Sequence, residues 1–446
     1  MDFWRALGRL WRHAGFRRLL LLRTLTQAGD GTLQVGIASY ILFSPQSQPN
    51  AWAIAGVLAV SLLPYTILGP LLSPLLDRWP RRNIALYSDL TRTALALLIG
   101  ALILTGHTSG WGIVVMMLAL LVALSINRFT LAGLSAGMQH TVDAHEYMSA
   151  SSIVPVLGPL GVVIGGVLGF GTRFAVAGPL RPHEADAVVF LLAAALFVSS
   201  SVVAARFERR GLGPDHEHAA TVHVRAVLAG LADAARHIRR RPAAWTGLLS
   251  MTASRFLFSA FSIMVILIAR NVWHPVEDPE AALGDLSVWG LFTGAGFLLA
   301  AGLVPTMVRH LGLRNTVVVL LVLGAVAQAV TTFTDAKWAV LAVSFVVGLV
   351  AQSVKICVDG LVQAHVGERY KGRAFTFYDM GFNGAFVVAA VVVAALLPPD
   401  GDSPAAFAAM ALGYLFLAGL FLWASARIGV EDFDRGTGDL RARVEN

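Results

Sequence analysis

The sequence predicts an all-α membrane protein, with twelve transmembrane helices arranged as two pseudo-symmetric six-helix bundles. Three observations predict it. Hydrophobic residues make up 56% of the 446 and charged residues only 14%, with a mean hydropathy of +0.69. A water-soluble globule carries about a quarter charged residues, so this chain has too little polar surface to face water on every side. The apolar residues come in runs of roughly 20, the length that carries a helix across a hydrocarbon core. These runs are continuous and do not alternate in polarity as barrel strands do. A polar segment falls at 207–242, with six apolar runs before it and six after.

Taken in order, residues 1–17 read as a cytosolic amphipathic helix. Phe3, Trp4, Leu7 and Trp11 share one face and Arg5, Arg9 and Arg12 the other, which suits a helix lying on the inner membrane surface. The apolar stretch Leu19–Leu22 is cut by Arg23 too early to be the core of a cleaved signal. The first bundle occupies 18–206, with spans near 18–43, 51–76, 84–105, 111–135, 150–172 and 186–206. The linker, 207–242, opens with Gly211, Gly213 and Pro214. Apolar residues then recur at helical spacing from Val224 to Ile238, predicting a cytosolic helix there. The second bundle occupies 243–425, with spans near 245–271, 284–307, 315–334, 337–360, 374–397 and 403–425, and a cytosolic tail runs over 426–446.

Orientation follows from Arg and Lys, which gather on the cytoplasmic side of membrane proteins. Arg5 to Arg18, Arg78 to Arg82, Arg206 to Arg241, Arg309, Arg314, Arg369 to Arg373 and Arg427 to Arg443 all fall on one side of the predicted map. The other side has little beyond Arg173, Arg181, Arg270 and Lys337. Both termini are therefore expected inside. The tryptophans agree: Trp52, Trp111, Trp273, Trp289 and Trp338 fall near outer boundaries, and Trp4, Trp11, Trp79, Trp245 and Trp423 near inner ones.

The net charge of +7 is dispersed in these clusters and forms no patch for nucleic acid. Cys357 is the one cysteine, so neither an internal disulfide nor a thiolate zinc site is expected. No Gly-x-x-x-x-Gly-Lys-Ser/Thr loop and no His-Glu-x-x-His occur. His140 and His145 are expected to be solvated on an inner loop. Neither a cofactor nor a metal is expected, nor an ATP-driven or enzymatic activity, and the chain is expected to act as a monomer.

The halves echo each other. Pro74, Arg78 and Arg82-Asn83 follow the second span; Pro305, Arg309 and Arg314-Asn315 follow the eighth, one residue longer. A weak repeat of this kind marks a duplicated six-helix unit. Between spans two and three the chain also carries Ser73-x-x-x-Asp77-Arg78-x-Pro80-Arg81-Arg82. Span four carries Arg128 followed by Gly133, and span five carries Gly158-Pro159 and Gly165-Gly166. On these residues the sequence resembles the major facilitator superfamily, within it the twelve-span bacterial drug-efflux branch of drug:proton antiporters. Ser73 and Pro80 stand where that signature has glycines. The resemblance implies two bundles rocking about a central cavity in a bacterial inner membrane. Asp77, Arg78, Arg81 and Arg82 would form a cytoplasmic gate, and Arg128 would take part in proton transfer.

Ionisable groups inside spans are costly and point to a pathway, a partner or a gate. Arg23, Gln27, Asp30 and Gln34 recur at spacings of four, three and four, one face of the first span. This stripe is expected to face the cavity, with Asp30 opposite Arg255 of span seven, as a carboxyl that exchanges a proton or as a static ion pair. Asp89 and Arg92, Lys355 and Asp359, and Asp379 and Asn383 stand at helical pairing distance and are expected in gates and inter-helix networks. Gly161, Gly165 and Gly169, and likewise Gly290 and Gly294, predict close helix approach.

The leading expectation is proton-coupled export of an amphipathic or cationic small molecule. The alternatives are uptake or export of an anionic metabolite or lipid, with Arg255 and Arg23 holding the anion, and a non-transporting membrane sensor or scaffold.

Overall fold

The computed structural model describes residues 8–42, 56, 79–107, 110–143, 146–176, 178–213, 224–275, 278–398 and 400–434. The described residues form helices and connecting turns, with no strand among them. Before residue 224 the long helices are α1 (Ala14–Ile37), α2 (Arg81–Leu104), α3 (Trp111–Gly137), α4 (Tyr147–Val176) and α5 (Pro182–Ala205). From there onward come α6 (Val224–Arg239), α7 (Pro242–Asn271), α8 (Pro279–Leu311), α9 (Leu313–Phe333), α10 (Lys337–His365), α11 (Glu368–Leu396), α12 (Pro404–Ile428) and the short α13 (Val430–Asp434). Eleven of the twelve expected spans coincide with helices; the second, 51–76, lies outside the described residues apart from Gly56. Nine of the described helices are long and apolar enough to cross a membrane.

Local chemistry starts these helices where the chain changes character. Pro182, Pro242, Pro279 and Pro404 each open a helix, at a position where no amide donor is needed and φ is already helical. The Arg181 amide is met by Glu184 at 2.9 Å. Asp278 and Ser403 accept from the amides of Ala281 (3.1 Å) and Ala406 (3.3 Å), satisfying donors that have no partner within the helix. Between α8 and α9 the chain turns on Gly312, whose φ of 78° suits a residue without Cβ.

The chain divides into two compact units, one built from α1–α5 and one from α6–α13. In the first, α1 packs on α4 and α5, and α2 on α3 and α5. In the second, α7 packs on α11 and α12, and α9 on α10 and α12. These are the same pairings shifted by six spans, so the duplication inferred from the Pro, Arg and Arg-Asn echo is present in the packing scheme of each half.

α1 and α4 meet backbone to backbone. A Cβ on Gly165 would collide with the Ala28 backbone, one on Gly31 with the Val162 carbonyl, and one on Gly161 would come within 2.8 Å of Gln27 and Thr24. The Thr32 hydroxyl donates to the Gly165 carbonyl at 2.9 Å. The expected seam of Gly161, Gly165 and Gly169 is therefore real. Among the described residues, a Cβ on Gly290 or Gly294 would meet nothing within 4 Å, so the seam expected there is not formed by those residues. The close approach on α8 is made by Gly296, against Phe345 and Leu349 of α10, and Gly348 of α10 answers it against Thr293. A spacing of four places glycines on one face without saying which face meets a neighbour.

The linker helix forms as expected and packs on α7 and α11 within the second unit. Ala234 and Ile238 are buried, and His237 stacks on Tyr370 at 4.2 Å. The tail beyond α12 is partly docked: Phe433 is buried edge-on against Phe421. At the N-terminus Leu10 is buried and Trp11 exposed, and the first long helix begins at Ala14, a turn earlier than expected. Residues 1–7, which carry most of the expected amphipathic face, lie outside the described residues.

Candidate functional site

Within the first unit, three helices bring polar side chains to one buried point. Arg92 of α2 is wholly buried. Its Nη2 donates to Asp30 Oδ1 of α1, and its Nη1 to Asp89 Oδ1 (3.0 Å) and to the Thr26 hydroxyl (2.8 Å). Thr26, one helical turn before Asp30, passes the connection on by donating to Asp89 at 2.7 Å. Ser200 of α5 donates to the other Asp89 oxygen at 2.6 Å. One face of the guanidinium lies 4.0 Å from the Phe197 ring of α5, a stacking that leaves its in-plane donors free for the carboxylates. Asn127 of α3 is buried beside Asp30. Two carboxylates thus share one guanidinium, and with both ionised the trio carries one uncompensated negative charge. In a low-dielectric interior such a charge is costly unless a proton or another cation joins it.

A second buried ion pair lies at the other end of α5. Arg173 Nε donates to Asp186 Oδ1 at 2.6 Å, and Ser39, in the π-helical turn that ends α1, donates to the same oxygen at 2.6 Å. At the opposite ends of the helices, Arg81 donates to the carbonyls of Ala136 (3.0 Å) and Leu212 (3.1 Å), and Arg82 to that of Ala205 (3.2 Å). These carbonyls close α3, α5 and the turn after α5, where cations complement the helix dipole. Asp77 and Arg78, the rest of the expected gate, lie outside the described residues.

In the second unit Lys355 and Asp359 pair at 3.2 Å along α10, with Lys355 5.2 Å from the Tyr378 ring. Asn383 donates to the Asp379 backbone carbonyl at 2.8 Å, a bond along its own helix. Arg255 of α7 is surrounded by rings: Phe382 at 4.0 Å and Phe386 at 5.2 Å on α11, and Phe258 at 4.9 Å on its own helix. An apolar groove of about 450 Å³ runs between α7 and α11, lined by residues that include Leu249, Phe256, Met380 and Val388 and by no charged side chain.

No family model matches the chain. Two curated relatives do. Proteins described as uncharacterized MFS-type transporters from Mycobacterium bovis and Mycobacterium tuberculosis are each 32% identical over 411 residues, spanning 91% of this chain and 89% of theirs. The chain belongs to the major facilitator superfamily. Solved structures of the superfamily share its fold: the nucleoside transporter NupG at a TM-score of 0.64 (15% identity, 91% of this chain and 98% of that one), a peptide transporter POT mutant at 0.67 (12%, 94% and 95%), and an inward-facing bacterial homologue of ferroportin at 0.63 (18%, 92% and 98%). The protein is thus a multi-pass membrane transporter of this superfamily.

For this transporter the sequence reading located the charges but not the ion-pair partner of Asp30. Asp30 pairs with Arg92, in its own unit. The reason is geometric: Thr26 and Asp30, four residues apart, lie on the side of α1 turned to α2, whereas the wider stripe divides. Gln27 is buried, Gln34 is exposed, and Arg23 donates to Ser135 of α3 at 3.0 Å. Arg128 is half-buried on α3, and its neighbour Asn127 is the residue beside Asp30. Asp89 and Arg92, expected in an inter-helix network, are its centre. Thr26, Ser200 and Phe197 were not singled out, since hydroxyls and rings are common in spans. The rings around Arg255 on α11 did leave a signal, Phe382 and Phe386 at a spacing of four.

Proposed function

We propose that the protein is a proton-coupled secondary transporter working by alternating access, with its proton site at Asp30, Asp89 and Arg92. The observation that carries this reading is the charge count of a buried cluster: two carboxylates, one guanidinium, and one unit of negative charge that a single proton removes. The bonds of Arg92 and Ser200 tie α1, α2 and α5 together. A proton on Asp30 would weaken the α1–α2 link and leave Asp89 as the anion facing Arg92, so proton occupancy and helix packing would change together. The likeness of residues 73–82 to the drug-efflux signature supports export as the direction. The pattern of Arg and Lys supports an inner membrane with both termini cytoplasmic.

The test separates proton binding from transport. Infrared difference spectra of the purified protein are expected to show a buried protonated carboxyl band that disappears as pH rises and is missing in Asp30→Asn. In cells, resistance or efflux conferred by the protein is expected to vanish with a proton uncoupler and in Asp30→Asn, with the variant still inserted and monodisperse. Flux that persists in Asp30→Asn and resists the uncoupler would defeat the proposal.

A further inference from the structure

The two units treat their membrane-buried arginines oppositely. Arg92 spends its in-plane donors on Asp30, Asp89 and Thr26. Arg255 also lies against rings, with three phenyl groups within 5.2 Å, yet no ion pair or hydrogen bond of its guanidinium is formed among the described residues. Its Nε is buried without an acceptor. Ring stacking occupies the two faces of a guanidinium and leaves the five N–H groups at its edge, which are the groups that match a carboxylate, sulfonate or phosphate bidentately. Tyr414 of α12 and Ser254, one residue before Arg255, place two buried hydroxyls beside it. The residue is only partly covered, so its edge is within reach of a ligand.

We propose that Arg255 is the substrate-reading group of this transporter and that the substrate is an organic anion, whose acidic group takes the guanidinium edge while Phe258, Phe382 and Phe386 hold the guanidinium plane. The inference rests on the transporter reading and takes the anionic alternative of the sequence over its leading cationic one, with Arg255 and not Arg23, which bonds to Ser135, as the reading group. A cation brought to this point meets an uncompensated positive charge. An anion neutralises it and satisfies donors that are otherwise unmet, and that is the stronger form of discrimination. The three rings hold the guanidinium by cation–π attraction without consuming its charge. A carboxylate partner, such as Arg92 has, would have cancelled it.

Binding in detergent tests this without any proton gradient, so the result does not depend on the coupling mechanism. The full-length protein is titrated with naphthalene-2-sulfonate, phenyl phosphate and benzoate, and with the matched cation 2-naphthyltrimethylammonium, reading thermal stability and tryptophan fluorescence. At least one anion is expected to bind the wild type, to bind Arg255→Gln about ten-fold or more weakly, and to bind Arg255→Lys with intermediate affinity. The cation is expected to gain nothing from the arginine. Loss of anion binding in the Arg255 variants, read without a gradient, bears on this proposal alone, whereas flux that resists a proton uncoupler bears on the proton site alone, which separates the two failures. Should Arg255→Gln not fold, the Arg255→Lys comparison carries the test. Anion binding that is unchanged in a folded Arg255 variant, preference for the cation, or no binding of any anion at millimolar concentration would each overturn the proposal.

Discussion

Asp186 and Arg173 show what a buried charge requires at the scale of one residue. Both are nearly inaccessible, and Ser39 adds a second donor to the carboxylate. Removing the acid leaves the guanidinium buried with its main counter-charge gone, which costs about 3–5 kcal/mol for pairs of this kind. Asp186→Ala is therefore expected to lower the melting temperature of the purified protein markedly. Asp186→Asn keeps an acceptor and is expected to cost less. A melting curve unchanged in Asp186→Ala would show that water reaches the pair. The sequence reading places Arg173 only among the outer-side charges and does not single out Asp186. For Asp30 the cost of a charge inside a span was legible, but nothing in the run around residue 30 points to Arg92, because pairing depends on the rotation of two helices that are distant along the chain.

Between elements, contact is decided by how closely two backbones approach. Gly165 has no room for a Cβ against α1, so Gly165→Val is expected to destabilise by about 1–3 kcal/mol or more through overpacking. A Cβ on Gly290 or Gly294 meets nothing within 4 Å among the described residues, and replacing either with Ala is expected to be neutral or to stabilise by up to about 1 kcal/mol through helix propensity. Melting temperatures of the three variants in one detergent check both claims; similar losses in all three would sink the distinction. The small-residue spacing is identical at the two places in the sequence. Only the orientation of α8 toward α10, through Gly296 and Gly348, separates a working seam from an idle one. Helix starts were better marked, because Pro182, Pro242, Pro279 and Pro404 act locally and need no neighbour.

For the whole molecule, the repeated pairings of α1 with α4 and α7 with α11, and of α2 with α5 and α9 with α12, follow from duplication of one helical unit. Topology can be tested with the protein's own chemistry. Cys357 is buried, so the native thiol is expected to give little background with a membrane-impermeant maleimide. A cysteine placed at exposed His107 is expected to label in intact cells, and one at exposed Arg240 only after permeabilisation. The reverse pattern would invert the orientation drawn from Arg and Lys. What the sequence determined alone was the solvent, the spans, the halfway division and the presence of charges inside the membrane, because each is a sum over neighbouring residues. Tertiary structure decided which charges neutralise one another. Asp30 and Asp89 share Arg92, while Arg255 has no carboxylate partner among the described residues, and that outcome depends on side chains brought together from separate helices, a distance that no local pattern encodes.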